Sequence, residues 1–284
     1  MIEVVTCHFN PCGYRRLVEN YWAFRRHMRS FNVSLRTIEL TFDDQKPQID
    51  DAMHVHGTRQ ANLMWQKESL LNRLIETSSA ELIAWIDADV WFMNPSWVEQ
   101  ATELLQAGAD VIQLFSRAQM INKFGIVEDR AWKSSISAYL CNERFDDYTR
   151  VHPGLAWAAR GDWLRRQWLY DRLVAGCGDS VMSNLWCGGR LDISEFSRES
   201  VADITAWRNC KPQPRLGYVS GTVLHMYHGS NANRNRREQR HFHQIILPED
   251  VKRRDDGVLE WSETAPLLDI ARIRDRFSER NEDD

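Results

Sequence analysis

A chain of 284 residues with 43% hydrophobic and 27% charged residues has enough apolar material for one large core or two small ones. A net charge of −4 and a pI near 6.2 exclude a generic polyanion binder. No run approaches the ~20 apolar residues a membrane-spanning helix needs. The six cysteines (Cys7, Cys12, Cys141, Cys177, Cys187, Cys210) form no Cys-x-x-Cys pair, which argues against a zinc or redox motif and for reduced thiols. The N-terminus enters as Ile2-Glu3-Val4-Val5-Thr6 without a basic stretch leading into an apolar one. The expectation is a soluble, cytoplasmic protein with no signal peptide, as in a bacterial or viral setting.

Ile2–Thr6 reads as a first strand, and Cys7 to Gly13 as the loop after it. Tyr14 to Arg29 carries Leu17, Val18, Tyr21, Trp22 and Phe24 at helical spacing, and Val33–Leu40 alternates as a second strand. Gln60 to Glu76 reads as one helix leading into the apolar strand Leu82–Ile86. Asn94 as cap and Pro95 in the first turn start a helix that runs to Gln106 and stops at Gly108. Ala109–Phe115 is another strand. This alternation predicts an α/β fold whose parallel sheet carries helices on both faces and binds ligands at the carboxyl ends of its strands.

From Ser116 to Arg150 the pattern is irregular and reads as walls and lids. A helix is expected around Asp162–Leu173 and an extended segment over Val223–His228. Ser278–Asp284 reads as a frayed tail. The expected organisation is one domain over 1–247 and a C-terminal extension over 248–284, partly disordered at its end.

The chemistry concentrates after the fourth apolar run. Leu82 to Ile86 ends in Asp87-Ala88-Asp89, and a buried strand has no reason to finish on unpaired acids. In an extended segment alternate residues face the same way, so the two carboxylates can converge on one hard cation, Mg²⁺ or Mn²⁺. Twelve tryptophans suit either a sugar- or base-stacking cleft or an aromatic core. Asn233 to His241 and Lys252-Arg253-Arg254 are basic clusters, rich in the arginine that favours bidentate phosphate contacts.

Together with Asp87-Ala88-Asp89, three segments form a pattern: His152-Pro153-Gly154-Leu155-Ala156-Trp157, Gly176-Cys177-Gly178-Asp179, and His225-Met226-Tyr227-His228-Gly229. In that order the chain resembles the GT-A glycosyltransferases, whose Rossmann-like, mostly parallel sheet is flanked by helices. The resemblance spans Ile2 to Phe242. It implies metal-dependent transfer of a sugar from a nucleoside diphosphate sugar, a UDP-sugar first, to a hydroxyl of a glycan or of a hydroxymethylated DNA base. It places Asp87 and Asp89 at the metal and nucleotide, and a late histidine, His228 rather than His225, as the further metal ligand. Two histidines three apart in an extended segment would face opposite sides, so one metal should take one of them. Gly229 would let the backbone turn beside the diphosphate.

The resemblance also assigns Arg234 and Arg236, with Arg237 as an alternative, to the leaving diphosphate. Asp179 becomes the general base of an inverting transfer, or a hydrogen-bonding residue of a retaining one. Trp157 would wall the donor pocket. Thr6, His8 and Asn10 would contact base or ribose, and Lys67, with Gln66 and Asn72, would reach the same cleft. Two other readings remain, a sugar-phosphate nucleotidyltransferase and a non-catalytic carbohydrate-binding protein. The first normally carries a Gly-rich basic loop after its first strand, which Cys7 to Gly13 lacks.

Overall fold

Alternating burial along the strands sets the architecture. In the central strand Leu82–Ile86, Ile83 and Trp85 pack on one face of the sheet while Leu82, Ala84 and Ile86 pack on the other. The computed structural model describes residues 1–209 and 212–284, with the side chains of Asn231 and Arg236 left out of the description. Within it a seven-stranded sheet comprises β1 (Ile2–Phe9), β2 (Val33–Phe42), β3 (Met53–Gly57), β4 (Leu82–Ile86), β6 (Val111–Gln113), β10 (Ala156–Arg160) and β11 (Leu216–Tyr218), in the order β11-β6-β10-β4-β1-β2-β3. Pairing is parallel except on the two sides of β10, which alone runs against the rest. This is the mostly parallel α/β architecture with flanking helices expected from the sequence.

A five-stranded sheet adds β5 (Val90–Phe92), β7 (Arg117–Ile121), β8 (Val127–Ser134), β9 (Val151–His152) and β12 (Thr222–His225), ordered β5-β12-β7-β8-β9. It occupies much of the region expected to be irregular. Its exposed hairpin β7–β8 has a burial pattern too polar to read as strand from apolar alternation. A two-stranded ribbon pairs β13 (Val251–Arg253) with β14 (Leu259–Trp261).

Helices α1 (Arg15–Met28) and α4 (Trp97–Gln106) cover one face of the large sheet. Helices α3 (Lys67–Glu76), α6 (Gly161–Gln167) and α7 (Gly178–Trp186) cover the other, after the short α2 (Arg59–Asn62). Helices α5 (Ser135–Leu140), α8 (Arg198–Asn209), α9 (Arg236–Ile245) and α10 (Leu267–Glu279) complete the chain. No helix among the described residues is long and apolar enough to cross a membrane. Cys7, Cys12, Cys141, Cys177 and Cys187 are free thiols, and Cys210 lies outside the described residues.

Several boundaries differ from the sequence reading for local reasons. Strand β1 continues through Cys7, His8 and Phe9 because β2 pairs with it along its full length. The expected helix over Gln60–Glu76 is broken at Leu63–Gln66, where the side chains of Asn62 and Gln66 both donate to the Leu259 carbonyl of β14. The helix after Pro95 starts at Trp97, and Asn94 accepts from the Ser96 N–H two residues on instead of capping it. The helix expected over Asp162–Leu173 stops at Gln167, where Trp168 takes a positive φ of 54°.

The C-terminal segment packs against the body of the protein. Met64, Val174, Phe242, Ile246, Val251, Leu259 and Ile273 form a small apolar cluster that ties β13, β14 and α10 to the body. Beyond α10, Glu282 is buried, and the Asp283 carboxylate accepts from the Arg15 and Arg16 N–H groups at the start of α1. Polar composition suggested a loose end, but these charges have partners.

Candidate active site and cation centre

The two acids after β4 sit in a turn, not in an extended strand: the Val90 N–H donates to the Asp87 carbonyl at 3.2 Å. The turn sends them to different partners. Asp87 faces Lys67 on the first turn of α3, whose Nζ lies 2.6 Å from Asp87 Oδ1 and 2.7 Å from Asp179 Oδ2. Asp89 faces the end of β12 instead.

Backbone pairing explains the second group. Register pairs His225 with Val90, next to Asp89, and the Met226 N–H donates to the Asp89 carbonyl at 2.8 Å. The strand ends at His225, so the residues after it turn and bring His228 back to the same place. His225 Nε2 and His228 Nε2 lie 3.2 and 3.1 Å from Asp89 Oδ2, and 3.1 Å from each other. The expectation that one cation would take only one of the two histidines is therefore corrected. Asp89, His225 and His228 form a three-residue group able to hold a metal ion. Asp87 is not in that group, contrary to the sequence reading, because Lys67 holds it.

The donor set, two imidazole nitrogens and a carboxylate, suits a divalent cation. Asp89 Oδ1 is buried with no hydrogen-bond partner among the described residues, an orphan that a cation would satisfy. Burial alone would raise the Asp89 carboxyl, but His225, His228 and Arg234 beside it carry it well below the usual carboxylate range. Burial pushes His228 down, favouring the neutral imidazole that ligates metals. Arg234 Nη2 lies 2.7 Å from His228 Nε2, so a guanidinium stands at the edge of this group, as the resemblance implied. Arg236 begins α9, and its side chain lies outside the described residues.

The Lys67 group is a second buried network. Burial raises the Asp87 carboxyl to about 6 against the pull of Lys67, and raises Glu68 to about 8 in the same way. For Lys67 burial works downward, yet Asp179, Asp87 and Glu68 carry it well above its ordinary value. Asp179 lies in the first turn of α7, after Cys177 at φ 87°. Gly154 is what lets it approach, since a Cβ there would sit 2.8 Å from Asp179 Oδ2.

Other sequence candidates are engaged within the fold. Trp157 is 1% exposed, stacks on Trp85 at 6.0 Å and donates through Nε1 to the Pro153 carbonyl, which leaves no face for a donor sugar. Thr6 donates to the Ile86 carbonyl at 2.7 Å and knits β1 to the end of β4. His8 and Asn10 are buried and share Gln48, and Asn10 also exchanges two hydrogen bonds with the Tyr14 backbone. Asn72 clamps the Leu169 backbone, and Gln66 clamps Leu259. Gly229, at φ 86°, does approach another backbone closely, but that backbone is Asn281 and Glu282 of the C-terminal segment. Glu68 and Glu282 are the residues beside these groups that sequence reasoning missed, whereas His225 was weighed there and set behind His228. A helical neighbour of Lys67 and an acid near the C-terminus carry no local signal.

No family model matches the chain, and no curated protein matches it. Among solved structures it is similar to S. aureus TarS 1–349 in complex with UDP-GlcNAc, at 12% identity over 64% of this chain and 52% of that one, with a TM-score of 0.38. It is also similar to the catalytic domain of Drosophila beta1,4galactosyltransferase 7 in complex with xylobiose, at 10% identity over 67% and 63%, with a TM-score of 0.37. A mutant of that Drosophila enzyme in complex with manganese, UDP-Gal and xylobiose gives 13% identity over 66% and 63%, with a TM-score of 0.34. The matched part is less than two thirds of each of these structures. At TM-scores this low the likeness is loose, and the chemistry is read from this chain's own side chains.

Proposed function

We propose that this chain is a metal-dependent glycosyltransferase that moves a sugar from a nucleoside diphosphate sugar, a UDP-sugar first, to a hydroxyl of a glycan. The observation that carries the reading is the convergence of Asp89 Oδ2, His225 Nε2 and His228 Nε2 on one point beside a second buried network containing Asp179. Asp89, His225 and His228 would hold Mn²⁺ or Mg²⁺. Such a cation supplies charge stabilisation for the departing diphosphate.

This chain's own residues supply the rest. Arg234, beside His228, is placed to add positive charge on the diphosphate side. Asp179 serves as general base: its carboxylate takes the proton of the acceptor hydroxyl as that oxygen bonds to the anomeric carbon and the bond to the diphosphate breaks. Lys67 bonds Asp179 Oδ2 at 2.7 Å and so orients the carboxylate. One displacement of this kind inverts the anomeric centre.

A hydroxymethylated DNA base is the less favoured acceptor. Two of the arginines that would meet a DNA backbone are already engaged: Arg240 Nε lies 2.9 Å from Glu195, and Arg253 lies over the Trp168 ring at 3.9 Å and 3.7 Å from Asp171. The test is a panel of nucleotide sugars assayed for hydrolysis and transfer with Mn²⁺, with Mg²⁺ and with excess chelator. Turnover of a UDP-sugar that chelator and Asp89→Ala each abolish is the expected result. Full activity in chelator would remove the metal from the reading. A requirement for a sugar phosphate and a nucleoside triphosphate would make the chain a nucleotidyltransferase, and binding of sugars without turnover would make it a binder.

A further inference from the structure

Glu282 has no place in the reaction described above, yet it is one of the most buried acids in the molecule, at 5% exposure. Its Oε2 lies 3.3 Å from His228 Nδ1, on the side of the imidazole away from Asp89. A carboxylate can only accept, so this contact requires a proton on Nδ1. Arg234 Nη2 lies 2.7 Å from His228 Nε2 and 3.2 Å from Nδ1, over the ring, and so selects neither nitrogen. Asp89 Oδ2, 3.1 Å from Nε2, is the acceptor on the opposite side, so the two carboxylates compete for the ring proton, and a cation held at Asp89 would leave that proton to Glu282.

The chain spends several contacts on holding Glu282 in place. Arg280 Nε pairs with its other oxygen. Tyr14 Oη is 3.1 and 2.8 Å from the Phe277 and Ser278 carbonyls, which anchors the end of α10. Asp283 is tied to the start of α1 at 3.1 and 2.8 Å. Gly229, directly after His228, packs against the same segment: a Cβ there would stand 3.0 Å from Asn281 O and from Glu282 Cα. The histidine and the acid are thus seated against each other from two distant parts of the chain.

We infer that Glu282 is a positioning residue for the cation centre, its carboxylate accepting from the Nδ1–H of His228 and so leaving Nε2 to a cation. A carboxylate behind a ligating imidazole fixes the ring and raises its basicity, and loss of such a partner typically weakens metal binding by about 10- to 100-fold. The C-terminal segment, read from sequence as a loose tail, completes the site from behind. This rests on the metal-site reading above, and its first measurement needs no metal.

The test has two parts. Long-range ¹H–¹⁵N spectra of histidine-labelled, metal-free protein at one fixed pH report which ring nitrogen of His228 is protonated, with His228→Gln used for assignment. A larger Nδ1–H population is expected in the wild type and in Glu282→Gln, whose amide oxygen still accepts, than in Glu282→Ala. Titration with Mn²⁺ alone should then give roughly 10- to 100-fold weaker binding for Glu282→Ala and a near wild-type constant for Glu282→Gln. Should Glu282→Ala not fold, Glu282→Leu and Glu282→Gln carry the comparison. An Nδ1–H population unchanged in Glu282→Ala, or equal Mn²⁺ affinity with and without the carboxylate, overturns the inference. If the tautomer shifts as expected but wild-type protein binds no Mn²⁺, the metal reading fails while the control of His228 by Glu282 stands.

Discussion

Asp179 and Asp87 share a single buried ammonium, and that arrangement decides how the site can be probed. Removing Lys67 would leave two carboxylates facing each other out of water, a loss of about 3–5 kcal/mol for breaking a buried pair. A Lys67 deletion would therefore report on folding before it reported on chemistry. Asp179→Asn is cleaner, because Lys67 keeps Asp87 at 2.6 Å as its partner and the amide retains size and hydrogen bonding. If Asp179 is the general base, transfer should fall by about two to four orders of magnitude while donor affinity, measured by calorimetry, changes little. The product of the wild-type reaction should carry the inverted anomer, read from proton coupling constants. A retained anomer, or an Asp179→Asn variant at wild-type rate, would reduce Asp179 to a residue that positions substrate.

At the scale of elements, the large sheet was legible because its strands alternate or run fully apolar, and β4 and its acids stood out for that reason. The small sheet was not, since β7 and β8 form an exposed hairpin whose residues obey no apolar period. The pairing of β12 with β5 was equally invisible, and it is what delivers His225 to Asp89. Trp157 shows the reverse error: its motif neighbours made it a pocket residue, whereas sheet alternation puts it with Trp85 and Trp186 in the core. Gly154, between β9 and β10, stood in one of the motif segments, but only the fold shows what approaches it. A methyl there would meet the end of the Asp179 side chain and no backbone atom. Gly154→Ala should therefore fold, with stability changed by no more than about 1 kcal/mol in denaturant titration. Its transfer rate should drop by roughly 100-fold as the carboxylate is pushed aside. A variant that unfolds, or one that keeps full activity, would contradict this account of the loop.

For the molecule as a whole, pH dependence of stability follows from groups buried in uncharged or paired form. His243 on α9 is 4% exposed, stacks on Phe196 at 5.3 Å, and lies with Nε2 3.0 Å from the Gly176 carbonyl. Burial, reinforced by the nearby Arg276 charge and opposed by that hydrogen bond, lowers its pKa from 6.5 to about 4. The unfolded chain then binds a proton that the folded chain refuses between those values. The contribution of His243 is thus complete above pH 6.5 and is lost as pH falls through about 4, by an amount on the order of 3 kcal/mol. Asp87 and Glu68 run the other way: their raised values, about 6 and about 8, make contributions that are present at low pH and fade as pH rises. The two trends overlap between pH 4 and 7, so the wild-type profile alone cannot separate them. Comparison with His243→Gln can, because the carboxyl contributions are common to both proteins and cancel in the difference. The variant should be the less stable protein at pH 7, having lost the stacked ring, and the gap should shrink or reverse as the pH is lowered to 4. Denaturant midpoints at half-unit steps of pH would follow it, and a gap that stays constant from pH 7 to 4 would show that His243 does not titrate in the folded state as its surroundings require.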